Sequence, residues 1–403
     1  MSDALASRIQ VPAGFEFSAV ACGIKASGNL DLALALARDG ATAAAVFTRN
    51  LVAAAPIAVG RKHLRASGGR LRAVLVNSGN ANCATGRPGL DACNRSCAEL
   101  ARAGKIRKTE VLPSSTGVIG VPFPVHKVSS GIPLLLQSIS GSPEAVSGFV
   151  RAIMTTDTRP KVAGAAVTSG GKRARIFGCA KGAGMIHPNL ATMLAYLFTD
   201  VEATAAQLRG VLASLVERTF NRISIDGDTS TNDTVLLMAS GKSGLKLNSQ
   251  PSVNQFAKAL AEVCASLAEQ IVRDGEGVKH LVRLRIEGAR NEGEADRVAQ
   301  VIATSPLVKT AWAGADPNWG RILAAVGRSG ISIDPGRVSI AFGPQYVCKR
   351  GVVADFDENA IHEYLSRPEV EIRVHLGRGR AAVAFLTCDL TAEYVRINAD
   401  YRT

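Results

Sequence analysis

The chain has 403 residues, 47% of them hydrophobic, with 39 glycines and only 5% aromatics, which fits a turn-rich globular protein with one large core or two ordinary ones. Its apolar runs, such as Ala73–Val76, have strand length and are too short to cross a bilayer. The net charge of +13 is spread along the chain without interleaved aromatics, which argues against a nucleic-acid groove and for a solvated basic surface able to draw in anionic metabolites.

In chain order, the opening "MSDALASRIQVPAGFEF" holds an early Asp and no apolar core of signal-peptide length, so a cytoplasmic protein is expected. Strands are expected at Thr42–Thr48 and Leu71–Asn77, then a polar glycine loop, "NSGNANCATG" (Asn77–Gly86), and a helix at Asp91–Ala103. A β-like "EVL" leads into "PSSTGVIG" (Pro113–Gly120), read as a turn whose hydroxyls and amides suit an oxyanion. "MTTDTRPK" (Met154–Lys161) gathers three threonines around one Asp before a strand at Val162–Thr168, and "SGGKRAR" (Ser169–Arg175) reads as a surface loop.

Further on, Thr204 and Gln207 form a capping-box pattern, and strands are expected at Arg222–Asp226 and Thr234–Ala239. After the loop Ser240–Ser252, a helix at Val253–Arg273 places Phe256, Leu260, Val263, Leu267 and Ile271 on one face, with Ser252 and Gln255 as its capping box. "RDGEGVKH" then sets Glu276 between glycines. Strands at Leu281–Glu287, Arg337–Phe342, Glu371–Leu376 and Ala381–Leu386 follow, with a helix at Glu294–Ile302 and a "GRGR" turn between the last two strands. The mixture predicts a layered α/β fold with mixed or antiparallel sheets, and no linker marks a domain boundary. The cysteines are scattered with no CxxC pair and the six histidines never cluster, so neither a metal nor a disulfide framework is expected.

The stretch "KGAGMIHPNLATML" (Lys181–Leu194) is unusual in placing a lone hydroxyl, Thr192, behind a small Ala191 and a Pro188-Asn189 turn. A threonine becomes a nucleophile when its own α-amine, of ordinary pKa near 8, is freed to act as its base. The hydroxyl can free that amine itself by attacking the preceding carbonyl, for which a small, unhindered residue and a tight turn are suitable. The plainer reading is a threonine that caps or enters the apolar segment Met193–Phe198.

Taken together, "MTTDTRPK", "KGAGMIHPNLATML", "ISIDGDTSTNDT" (Ile223–Thr234), "RDGEG", "GADPNWGRI" (Gly314–Ile322) and the terminal "INADYRT" resemble the glutamate N-acetyltransferases of arginine biosynthesis, also called ornithine acetyltransferases. The resemblance runs from about Gly23 to the last residue, with Leu190 standing where methionine is common. It implies a sandwich of two sheets flanked by helices, of the N-terminal-nucleophile type. It further implies self-cleavage between Ala191 and Thr192 into an α chain, 1–191, and a β chain, 192–403, which pair as (αβ)2.

By the same resemblance Thr192 carries the acetyl group, and Thr116 and Gly117 form the oxyanion hole. Substrate contacts fall on Thr155, Lys181, Thr192, Glu276, Asn398 and Thr403, the last two requiring an ordered C-terminus. The implied reaction moves acetyl from N2-acetylornithine to glutamate, with no metal or organic cofactor. Some members of the family also take acetyl from acetyl-CoA, and no residue here decides between the two types. Lys181 would meet a substrate carboxylate and Glu276 the amino end of ornithine. An aminopeptidase or amidase with the same self-processed nucleophile is the alternative enzyme, and a basic nucleic-acid binder the alternative of another class.

Overall fold

The chain begins its first sheet with β1 (Glu16–Val20), antiparallel to the start of β2 (Leu32–Phe47). The computed structural model describes residues 10–187 and 193–400. Ala191, Thr192, Thr403 and the Pro188-Asn189 pair therefore lie outside the described residues.

β2 is long because it serves two neighbours. Leu32–Leu36 pair with β3 (Arg70–Asn80), the register slips between Leu36 and Ala41, and Thr42–Phe47 pair with β8 (Thr234–Ala239). Among the described residues the full order is β4-β3-β2-β8-β7-β6-β5, where β4 is Val111–Val118, β5 Lys161–Ser169, β6 Lys172–Lys181 and β7 Leu194–Thr199.

Side-chain alternation shows that this sheet doubles over itself. Leu32, Leu34 and Leu36 point outward to an apolar cluster with Leu100 of α2 (Gly86–Ala103) and Ile132 of α3 (Val125–Gln137), beside α1 (Ala55–Ala66). Ala33, Ala35 and Ala37 point inward, where their small volume admits the rings of Phe177, Tyr196 and Phe198 from the other half. Phe17 meets Phe198 edge-on at 5.1 Å, and Phe149 of α4 (Pro143–Ala152) meets Tyr196 at 5.6 Å. On the far side Ala195 and Leu197 face α5 (Ala205–Arg218) and the long α6 (Gln250–Arg273). The result is the expected sandwich of two sheet layers between helices.

The second sheet is built from β9 (Leu281–Ala289), β10 (Ser339–Phe342), β11 (Gln345–Lys349), β12 (Val352–Val353), β13 (Glu369–His375) and β14 (Ala381–Cys388). One face packs on α7 (Glu292–Ala303), α8 (Pro306–Ala313), α9 (Trp319–Gly327) and α10 (Glu358–Leu365) around Trp312 and Phe342. A last helix, α11 (Ala392–Ala399), returns to the first body. Among the described residues no helix is long and apolar enough to cross a membrane.

Several expectations are corrected. Arg222–Asp226 is not a strand: Phe220–Arg222 is a 3-10 turn, and the Asp226 carboxylate accepts the amides of Ile186 (3.0 Å) and Asp228 (3.1 Å). The cap of α6 is Ser249, with Ser252 at its third position, because Pro251 sits comfortably in a first turn. "PSSTGV" is the body of β4, not a turn, and "SGGKRAR" spans the β5–β6 hairpin. The polar loop after β3 starts later than expected, since the strand runs on to Asn80. The "GRGR" turn joins β13 to β14 across β9, which lies between them in the sheet. A further apolar cluster, beginning at Val282, packs the second sheet.

Candidate active site

The ends of β4 and β6, the turn before β5, the segment before β8, the turn after α6 and the helix α11 surround one cleft. Every expected site residue that is described lines it: Thr116, Gly117, Thr155, Lys181, Glu276 and Asn398.

Thr116 and Gly117 stand where β4 runs beside β3, Gly117 opposite Gly79. Gly117 adopts φ +130°, and a Cβ there would lie 2.3 Å from the carbonyl carbon of Gly79, so only glycine fits. The Asn232 amide donates to the carbonyls of Ala81 (2.7 Å) and Ser115 (2.9 Å), tying this strand end to the segment before β8.

Lys181 ends β6 with 3% of its surface exposed. Its Nζ donates to Thr116 Oγ1 at 3.3 Å and lies 4.0 Å from Asp157 Oδ2. Burial lowers the Lys181 pKa, and Asp157 opposes that fall. Asp157 accepts from Lys161 Nζ and the Gly182 amide at 2.6 Å each and from the Thr155 amide at 3.0 Å. Burial alone would raise its carboxyl, but Lys181, Lys161 and the Gly182 amide outweigh it and hold the group at about 2.

Glu276 hangs from the turn after α6, its amide donating to Ala183 O at 2.8 Å and its carboxylate accepting from Asn398 Nδ2 at 2.8 Å. A Cβ on Gly184 would sit 2.5 Å from Glu276 Oε2, so this glycine admits the carboxylate. Asp233 is fully buried, and its Oδ1 accepts the Met193 amide at 3.0 Å. Burial raises the Asp233 carboxyl well above its ordinary range, with the Met193 amide and Lys181 acting the other way. Met193 follows Thr192 in the chain, and its carbonyl in turn accepts the Thr234 amide at 3.2 Å.

Such a cleft offers a cation at Lys181, a carboxylate at Glu276, and hydroxyls and amides between them, which suits a small zwitterion carrying an acyl group. Thr155 and Thr156 add polar lining. Among the described residues no three His, Cys, Asp or Glu side chains gather to hold a metal ion. Asn232, Asp233 and Gly184 belong to this site and were not singled out from sequence, while Asp157 drew notice only as the one acid among three threonines. They sit inside the quoted motifs, but nothing in the spacing of an acid predicts that it is buried.

The sequence profile of the ArgJ family matches residues 16–403. The arginine biosynthesis bifunctional protein ArgJ of Chlorobaculum tepidum is 44% identical over 403 residues, covering 100% of this chain and 99% of that protein. The protein of the same name from Thermus thermophilus is 48% identical over 399 residues, covering 98% of this chain and 100% of that protein. A solved structure of ornithine acetyltransferase complexed with ornithine, from Mycobacterium tuberculosis, is 38% identical, covers 44% of this chain and 92% of that one, and has a TM-score of 0.39.

Proposed function

The chain belongs to the ArgJ family, and on that premise we propose how it works as an acetyltransferase of arginine biosynthesis: acetyl passes from N2-acetylornithine to glutamate through an ester on Thr192. The observation that carries this reading is the convergence of Thr116, Gly117, Thr155, Lys181, Glu276 and Asn398, drawn from five separate segments, on one cleft with opposite charges in its wall.

The nucleophile is prepared by self-cleavage. Thr192 Oγ attacks the Ala191 carbonyl carbon, the C–N bond breaks, and water hydrolyses the resulting ester to leave a free α-amine on Thr192. That amine takes the hydroxyl proton when Thr192 attacks the acetyl carbonyl, and returns a proton to the departing ornithine amine. Thr116 Oγ1 accepts from Lys181, which leaves its own O–H free to donate to the oxyanion beside the Gly117 amide. Lys181 meets the substrate α-carboxylate and Glu276 the δ-ammonium of ornithine, with Thr155, Asn398 and Thr403 completing the contacts. Glutamate then attacks the ester and leaves as N-acetylglutamate. The relatives are called bifunctional, and we assign the second activity to charging the same ester from acetyl-CoA. The two pieces stay together as (αβ)2 in the cytoplasm.

Intact mass under denaturing conditions tests the reading. Two species are expected, one ending at Ala191 and one beginning at Thr192. Donor without glutamate adds the mass of one acetyl to the second, located at Thr192 by fragmentation. An uncut, fully active chain overturns self-cleavage, and active enzyme that never carries acetyl overturns the ester. Acetate release at one rate with and without glutamate makes the protein an amidase instead.

A further inference from the structure

Behind the cleft, Asp274, Lys161, Asp157 and Lys181 form a line of alternating buried charges. Lys161 Nζ lies 2.5 Å from Asp274 Oδ2 and 2.6 Å from Asp157 Oδ1, with the lysine 1% and the carboxylates 5% and 0% exposed at the side chain. Asp274 is anchored in turn by the Thr158 and Arg159 amides at 3.0 and 3.3 Å. Only the last member of the line, Lys181, reaches the cleft.

We propose that Asp157 is a positioning residue, held by Lys161 and by the amides of Thr155 and Gly182, that keeps Lys181 in place as the fixed cation of the cleft. The ground is geometric. Among the described residues Asp157 is the one carboxylate within 4.0 Å of Lys181 Nζ, whereas Glu276 is engaged by Asn398. A buried ammonium without a counter-ion sheds its proton, and a neutral amine cannot hold a carboxylate. Removing Asp157 would thus cost the cleft its charge while leaving Lys181 present.

The groups acting on Lys181 come from every side. Asp157 raises its affinity for a proton, as do Glu276 and Asp233, while Lys161 and burial lower it. Lys25 repels it from the remaining side, with Nζ bonded to the Leu30 and Met154 carbonyls at 2.8 Å. Two substitutions therefore push in opposite directions. Asp157→Asn removes the nearest anion and should lower the Lys181 titration midpoint by about one unit or more. Lys161→Met removes a like charge and frees Asp157 for Lys181, so the midpoint should rise.

The test is titration of carbon-13-labelled lysine side chains by NMR in the full-length protein, with the Lys181 signal identified by its loss in Lys181→Met. The paired kinetic readout is KM for N2-acetylornithine against pH, which rests on the function proposed above. Asp157→Asn should raise KM about tenfold at alkaline pH and recover as pH falls and Lys181 regains its proton, with kcat less affected. An unmoved midpoint in Asp157→Asn, or both variants shifting it the same way, overturns the proposal. Opposite shifts with an unchanged KM uphold Asp157's hold on Lys181 and instead sink the assignment of Lys181 to the substrate carboxylate. Should Asp157→Asn fail to fold, the rise in Lys161→Met decides alone.

Discussion

A methyl group added at Gly117 would collide with Gly79 in the neighbouring strand and would also force a φ of +130° on alanine. Gly117→Ala should therefore displace the end of β4, cost about 1–3 kcal/mol in chemical denaturation, and lower kcat by roughly a hundredfold if the residue-117 amide holds the oxyanion. Loss of stability with normal turnover would reduce Gly117 to a packing role. Glu276→Gln keeps the shape and the contact with Asn398 but removes the charge. KM for N2-acetylornithine should rise about tenfold, with smaller change in the glutamate half-reaction, as steady-state kinetics with each substrate varied would read. At this scale the quoted motifs contain most of the described residues that line the cleft. The motifs say nothing of why each is there: the missing side chain of Gly184 makes room for Glu276.

Secondary structure was legible where burial leaves an alternating or helical apolar pattern. The face of α6 from Phe256 to Ile271 and the strands β8 and β9 are of this kind. β4 was not legible, because Ser114, Ser115 and Thr116 are 3%, 4% and 6% exposed, and a buried run of hydroxyls looks like a turn. Part of its polarity is satisfied across strands instead, with Ser115 Oγ donating to Asn77 Oδ1 at 2.6 Å and Thr116 Oγ1 accepting from Lys181. β6 opens on Lys172 and Arg173, exposed residues that hide the apolar strand behind them. The start of α6 gives a clean test of local reading. Ser249 Oγ accepts the Ser252 amide at 3.3 Å, so Ser249→Ala should cost about 1 kcal/mol. Gln255→Ala, at the expected but unused capping position, should change the unfolding free energy measured in urea by less than about 0.5 kcal/mol.

For the molecule as a whole, the buried charges set an acid limit. Asp157 falls from an ordinary 3.8 to about 2 on folding, so its contribution, on the order of 2 kcal/mol, is complete above pH 4 and disappears as pH drops through about 2. Asp226 and Asp233 work oppositely: burial raises both, so they favour the fold at low pH and their contribution fades as pH rises through their folded values. The difference between wild type and Asp157→Asn in urea unfolding should isolate the first effect, shrinking between pH 4 and pH 2. A constant difference across that window would place the contribution of Asp157 elsewhere. Where the packing passes from the first sheet to the second, between α6 and β9, the chain makes a tight turn at Gly275 and Gly277 with none of the composition of a linker.

The strand order has a consequence for the life history of the molecule. Reading across the first sheet, β4, β3 and β2 come from before residue 188, β8 and β7 from after residue 192, and β6 and β5 from before again. The later segment is threaded between two parts of the earlier one. If the backbone were opened between 191 and 192 as proposed, the later piece would stay gripped on both flanks, by the β2–β8 and β6–β7 ladders, so that separating the two would mean tearing the sheet apart. While the chain is continuous, β6 finds β7 through a short tether at an effective concentration near millimolar. Afterwards the same pairing is an encounter between two molecules, each with an exposed apolar strand. Cleavage as proposed would therefore make refolding of the sheet a bimolecular event, so that the native state of the opened chain would persist by the height of its unfolding barrier.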